Sequence, residues 1–448
     1  MITRTVGIAR IEQKARISAK EVYTSLYHHV YNKRHLELCF DLLKKDSALG
    51  IDGVGVADYR ENLNENLEEL SSDLSRMSYI PQPSKRVYIP KAGSAKGRPL
   101  GIPCTEDKLV QKAVKEVLEP IYEVKFRDTS FGYRGGISAH DALDALGRCI
   151  QQKKVSYVVE ADIKGFFNHV NHDILMELLN FRIKDQRLLR LIKRMLKAGI
   201  MENGLTKADA EGTPQGSILS PLLSNIYLHY ALDLWFEKSF RSQCRGEIYF
   251  FRYADDFVAC FQYKSDAELY LNQMKERLAR YSLEVEPSKT RMIEFGRFAS
   301  ANAKKNKQGK PETFDFLGFT HYCGKTRFGT FSVKRRTSQK KFSSKLKEFN
   351  QWLQAKRSWI KKRELIKTSV RKINGHLNYF CITDNTQRCQ SFAYEMKRIL
   401  YKWLNRQSQR RSYNWGSFHQ ALIWYKWPAV RLRKKLSPFS KEDSGRVR

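Results

Sequence analysis

The sequence predicts an α+β chain, and three observations carry that expectation. Short runs rich in β-branched and aromatic residues stand at Val155-Ser156-Tyr157-Val158-Val159 and on both sides of Asp255-Asp256. Between them lie longer stretches whose apolar residues recur with the helical period. Beyond about residue 335 the strand signal gives way to amphipathic helices alone. With 448 residues the chain can bury two or three cores.

Val22, Leu26 and Val30 predict a helix over 18–45, and Leu63, Leu67, Leu70, Leu74 and Met77 mark a second that starts at Asp58, a plausible cap. Gly50-Ile51-Asp52-Gly53-Val54 forms the loop between them. Residues 86–103 read as a hairpin in which Val87 and Ile89 answer Leu100 and Ile102 across a polar loop at 92–97. Core helices follow, one through Leu109, Val114, Val117 and Ile121 and another through Leu188, Ile192 and Met195. The run from Val155 is a buried strand that delivers Asp162 at its end. After the Pro214-Gln215-Gly216 loop, 219–236 is a long apolar helix. Then come a hairpin centred on Asp255-Asp256, a helix over 266–281 and a strand over 291–295. Residues 299–312 are polar and basic and are expected to form a mobile loop.

Three helices are expected after 335. Phe342, Leu346, Phe349 and Leu353 mark the first; Ile366, Val370, Ile373, Leu377 and Phe380 the second; Phe392, Met396, Ile399, Trp403 and Leu404 the third. Their outer faces are crowded with Lys and Arg, which predicts a bundle with a basic surface. Residues 406–435 alternate basic groups with Tyr413, Trp415, Phe418, Trp424, Tyr425 and Trp427, suited either to stacking on bases or to packing the bundle's far end.

Eighty-one Lys and Arg against 47 acidic residues give a formal charge of +34, so the expected partner is a polyanion. No run approaches the roughly 18 apolar residues of a membrane span, and the amino terminus lacks a signal-peptide core, so no membrane is expected. The eight cysteines have no pair at zinc spacing and read as reduced thiols of a cytoplasmic protein. His169 and His172 lack a third zinc ligand.

Adjacent side chains on a regular strand point to opposite faces, so Asp255 and Asp256 can serve one site only if the backbone turns there. With a third carboxylate from another strand, such a bend could hold two divalent cations about 3.5–4 Å apart for phosphoryl transfer. Asp162 is the candidate.

These motifs, in this order, resemble the palm of reverse transcriptases, and more narrowly the proteins encoded by bacterial group II introns. Gly97-Arg98-Pro99-Leu100-Gly101-Ile102-Pro103 is similar to the family's fingers motif, and Phe131-Gly132-Tyr133-Arg134-Gly135-Gly136 to the one after it. Gly212-Thr213-Pro214-Gln215-Gly216-Ser217 resembles the template and nucleotide loop. Pro287-Ser288-Lys289-Thr290 and Phe316-Leu317-Gly318-Phe319 resemble the later palm motifs. The resemblance implies a right-hand polymerase fold: an amino-terminal extension (1–65), fingers and palm (66–334), and a helical thumb or maturase domain with a basic tail (335–448).

It also implies an RNA-directed DNA polymerase that uses two Mg²⁺ ions held by Asp162, Asp255, Asp256 and the Ile163 carbonyl. Lys91, Arg98 and Lys289 would contact the triphosphate, Gln215 the nucleotide, and Phe167 would exclude a ribose 2′-hydroxyl, while Phe166 would pack in the core. Phe316, Leu317, Gly318 and Phe319 would grip the primer. The implied partners are group II intron RNA, an RNA template, a DNA primer and deoxynucleoside triphosphates. Two other readings are a splicing maturase with a vestigial polymerase site and a reverse transcriptase recruited to phage defence. No paired-cysteine endonuclease module follows the thumb in this sequence, so strand cutting is expected from intron RNA or from a pre-existing 3′ end.

Overall fold

A computed structural model describes residues 5–18, 20–89, 97–202, 205–207, 212–213, 216–307, 309–406 and 412–436. Its described strands, in chain order, are β1 (Ser84–Ile89), β2 (Arg98–Ile102), β3 (Tyr157–Asp162), β4 (Ile200–Glu202), β5 (Leu205–Lys207), β6 (Ile248–Tyr253), β7 (Asp256–Phe261), β8 (Arg291–Glu294), β9 (Phe314–Phe316), β10 (Phe319–Lys325) and β11 (Phe331–Thr337). They form three sheets, ordered β2-β1-β4-β5, β6-β7-β3-β8 and β11-β10-β9.

The β6-β7-β3-β8 sheet is antiparallel throughout and buried on both faces. Alternation along β3 and β7 sends Val159, Ala161, Phe257, Ala259 and Phe261 into one core, shared with helices Ser220–Leu228 and Lys264–Ala279. Val158, Val258 and Cys260 point the other way. They join a second core with helix Ala139–Gln152, strands β9–β11 and the carboxy-terminal helices. The near-continuous apolar runs of β6 and β7 follow from this two-sided burial.

The three carboxy-terminal helices stand where the periodicity puts them, at Gln339–Lys356, Lys362–Phe380 and Thr386–Leu404, and a fourth follows at Trp415–Trp424. There Phe418 is buried and Trp415 stacks on Tyr401, which is the packing reading of that stretch, while Trp424 is exposed.

Several expectations are corrected. The helix over 18–45 is broken: helix Val6–Ile17 precedes it, and Tyr23 pairs with Ile183 in an extended bridge. Asp185 accepts from the Leu26 and Tyr27 backbone N–H groups at 2.7 and 2.8 Å, and helix only resumes at Tyr27–Val30 and Lys33–Asp41. Long-range bonding overrides the local period. Asp58 is not the first cap but the third residue of helix Val56–Glu61, bonding back to the Gly55 N–H at 2.8 Å. Residues 299–312 are not all loop, because Ala299–Lys305 is helical with Ala299 and Ala303 buried one turn apart. Alanine is the strongest helix former and serves as the anchor there.

The hairpin expected over 86–103 forms with Val87 opposite Leu100, whereas Ile89 faces Arg98 and Ile102 faces Lys85. The long helix after Ser220 continues through π-helical turns at His229–Asp233 and Phe236–Phe240. All eight cysteines are free. No described helix is long and apolar enough to cross a membrane.

Candidate active site

The β6–β7 connection is a two-residue turn, since Tyr253 pairs with Asp256 and leaves only Ala254 and Asp255 between them. Ala254 sits in the left-handed region at φ 56°, which costs a non-glycine residue energy and must be held by its surroundings. Arg252 holds it. Its guanidinium is fully buried and every N–H is used: Nε and Nη2 on the Asp233 carboxylate at 2.7 and 2.6 Å, Nη1 on Asn225 Oδ1 at 3.0 Å and the Ala254 carbonyl at 3.1 Å, Nη2 also on Ser130 Oγ at 2.7 Å. Gly132 backs the turn so closely that a Cβ there would lie 2.3 Å from the Ala254 nitrogen. The Asn225 amide donates to the Gly132 carbonyl at 2.6 Å. The segment that resembles the second fingers motif therefore buttresses the acidic turn.

Asp162 ends β3 directly opposite Asp256 on β7, so the two carboxylates share a sheet face, and Asp255 precedes Asp256 in the turn. The acids feel one another. Burial, then the Asp162 charge, push the Asp256 carboxyl up to about 7, while the Leu317 backbone N–H donates to it and pulls the other way. Asp255 is raised as well, by burial and the Asp162 charge, with Arg98 and Lys289 opposing. Although burial works against it, the Lys289 ammonium is held above its ordinary range by bonding to Asp162. Among the described residues no three His, Cys, Asp or Glu side chains are arranged to hold a metal ion. The donor set nevertheless fits a hard divalent cation: all-oxygen, carboxylate-rich, with like charges crowded against burial. Lys289 supplies the compensating charge bonded to Asp162.

A cleft of about 680 Å³ opens over this face, walled by Asp162, Asp256, Lys289, Arg98, the Leu317-Gly318 turn and Lys341 of the first carboxy-terminal helix. Arg98 stands at the start of β2, opposite Ile89 of β1. Ile163 bridges Val285, with the Asp162 carbonyl accepting from Glu286 N–H and the Lys164 N–H donating to the Glu284 carbonyl. Alternation turns the Ile163 carbonyl to the other edge, the side of β7.

Phe166 is buried in the core, as expected, and Phe167 is half-buried in the same turn. The Thr213 N–H donates to the Phe167 carbonyl at 2.7 Å, and His172 Nε2 bonds the Gly212 carbonyl at 2.6 Å, its role being to hold this loop. On the far side, Gln111 accepts from Ser217 Oγ and the Ile218 N–H, both at 3.0 Å. Lys91 and Gln215 lie outside the described residues.

The four residues at 316–319 divide. Leu317 and Gly318 form a turn with positive φ (50° and 81°) that faces the cleft, whereas Phe319 is fully buried against Tyr379 and Phe380. Tyr379 Oη donates to the Leu317 carbonyl at 2.9 Å. Thus one residue, Leu317, joins a carboxy-terminal helix to the Asp256 carboxylate. Sequence reasoning missed Arg252, Asp233, Asn225 and Tyr379. The only signal was an arginine inside an otherwise apolar strand.

A family profile described as reverse transcriptase (RNA-dependent DNA polymerase) matches residues 89–321. The group II intron-encoded protein LtrA of Lactococcus lactis subsp. cremoris is 39% identical over 223 residues, 50% of this chain and 37% of that protein. Protein YkfC of Escherichia coli (strain K12) is 36% identical over 237 residues, 47% of this chain and 62% of that one. An uncharacterized 91 kDa protein in a cob intron of Schizosaccharomyces pombe is 42% identical over 163 residues, 36% of this chain and 20% of its own length. The matched region thus spans less than two thirds of each of these relatives.

Proposed function

This chain belongs to the reverse transcriptase (RNA-dependent DNA polymerase) family, and from that premise we propose that it copies RNA into DNA as a group II intron-encoded enzyme. The carrying observation is the face-to-face placement of Asp162 and Asp256 beside Asp255, beneath a cleft lined with cations. Family members act on nucleic acid and use divalent metal ions. Here Mg²⁺, as two ions, is the proposed cofactor, with Asp162, Asp255, Asp256 and the Ile163 carbonyl as its holders. Bound there, the ions would lower the pKa of a primer 3′-hydroxyl and stabilise charge on the phosphates.

The chain's own groups do the rest. As the 3′-oxygen bonds to the α-phosphorus, the bond to pyrophosphate breaks, and Arg98 and Lys289 are placed to neutralise the departing oxygens. By resemblance, Phe167, five residues after Asp162, would exclude a 2′-hydroxyl, and the Leu317-Gly318 backbone would meet a primer. Lys91 and Gln215 complete the nucleotide contacts by resemblance alone. The division into extension (1–65), fingers and palm (66–334) and thumb (335–448), and a cytoplasmic location, belong to the same proposal. So does assistance to intron RNA splicing, supported by the basic carboxy-terminal helices and the relatives' names.

Asp255→Ala should abolish extension of a DNA primer on an RNA template in Mg²⁺ while RNA affinity stays near the parent's. Retained extension would overturn the assignment of the carboxylates.

A further inference from the structure

Helix Lys362–Phe380 carries a glycine in its interior, Gly375, which costs roughly 1 kcal/mol relative to alanine. Neither of the usual reasons for a glycine applies. Its φ is not positive, and a Cβ built on it would meet nothing within 4 Å. The space it leaves open belongs to a pocket of about 300 Å³ between the three long carboxy-terminal helices, walled by Phe349, Phe392 and His376, with Lys345 and Lys372 also lining it.

His376 is stacked on Phe392 with ring centroids 3.6 Å apart, and is nine-tenths buried with no hydrogen-bond partner for Nε2. Burial, reinforced by Lys345, lowers its pKa to about 4, so the ring is neutral near pH 7. Glu348, also on the wall, is already paired with Lys345 at 2.8 Å. Lys345 and Glu348 line the catalytic cleft as well, so the pocket opens beside the path of any strand lying in that cleft.

We propose that this pocket takes one unpaired nucleotide of a bound RNA, its base flat against the Phe392–His376 stack and its phosphate beside Lys345 and Lys372. Aromatic walls accept any base, and Lys372, with Lys345 beside it in exchange with Glu348, matches a phosphate. Apolar protein side chains would use the walls but bring no anion to Lys372. The proposal rests on the reading of the chain as an RNA-binding polymerase.

The test uses the full chain and an RNA duplex carrying a single unpaired 2-aminopurine, whose fluorescence is quenched by stacking. Quenching is expected with the parent chain and not with Gly375→Leu, which places a side chain in the open space and should weaken binding of this RNA about fivefold or more. Thermal unfolding of the variant at or above the parent's temperature reports an intact fold. As a second measurement, 4-thiouridine at the unpaired position should crosslink the parent chain within residues 345–396. Quenching that persists in a folded Gly375→Leu chain, or crosslinks confined elsewhere, overturns the pocket. Primer extension on the same preparation separates the two readings, since a chain that extends primers without either signal refutes the pocket alone.

Discussion

At the scale of single residues, Asp256 is where burial and charge collide. Its carboxyl titrates at about 7 in the folded chain because solvent is withdrawn and Asp162 lies opposite, whereas in the unfolded chain it returns to about 4. The folded state therefore holds more protons between those values. Its contribution to stability is complete below the unfolded pKa and is lost as pH rises through about 7. Without divalent ions, the unfolding temperature should fall by roughly a few degrees more between pH 5 and pH 8 in the parent than in Asp256→Asn. Calorimetry in chelator checks this, and equal slopes would refute it. The acid itself was legible in the sequence, since two aspartates between apolar runs demand a turn. Arg252 was not, because arginine is ordinarily exposed and its partners Asp233, Asn225 and Ser130 come from 19, 27 and 122 residues away. Only the fold brings these acceptors around one guanidinium.

At the scale of elements, the carboxy-terminal helix Lys362–Phe380 is hydrogen-bonded through Leu317 to the strand that carries Asp256. Tyr379 Oη holds the Leu317 carbonyl, and the Leu317 N–H holds Asp256. On the other side, His140 Nε2 bonds the Tyr379 carbonyl at 2.7 Å, fixing the helix against Ala139–Gln152. Tyr379→Phe removes one hydroxyl and leaves the ring packing in place, forfeiting a bond worth about 1 kcal/mol. Single-turnover extension should slow by up to about tenfold while primer–template affinity stays put. A variant that loses affinity and keeps its rate would show the hydroxyl to be a binding contact instead. Elements with strong period and length, such as 339–356, 362–380 and 386–404, are legible in the spacing of their apolar residues alone. Those decided by distant partners are not: Tyr23 is drawn into an extended bridge by Ile183, and two π-helical turns interrupt the helix after Ser220 with no glycine or proline to announce them.

At the scale of the whole molecule, the two cores meet back to back on one four-stranded sheet. Val158, Phe251, Val258, Cys260 and Ile293 of that sheet lie in the same apolar cluster as Phe349, Ile373, Leu377, Phe392 and Met396 of the carboxy-terminal helices. Losing those helices would uncover the apolar part of that face, Val158, Val258 and Cys260 among it, at a cost of about 25 cal/mol for each Å² exposed. The helices are therefore structural partners of the acidic strands as well as a basic surface. Six of the seven tryptophans, all but Trp235, lie beyond residue 335, so tryptophan emission reports the helices while far-ultraviolet circular dichroism reports the whole chain. If the shared core couples them, the two signals should trace one denaturant midpoint, and a fragment ending at residue 334 should bind hydrophobic dyes and aggregate. An emission midpoint clearly below that of the dichroism, with the shortened chain soluble and compact, would show instead that the helices dock on a body already able to stand alone.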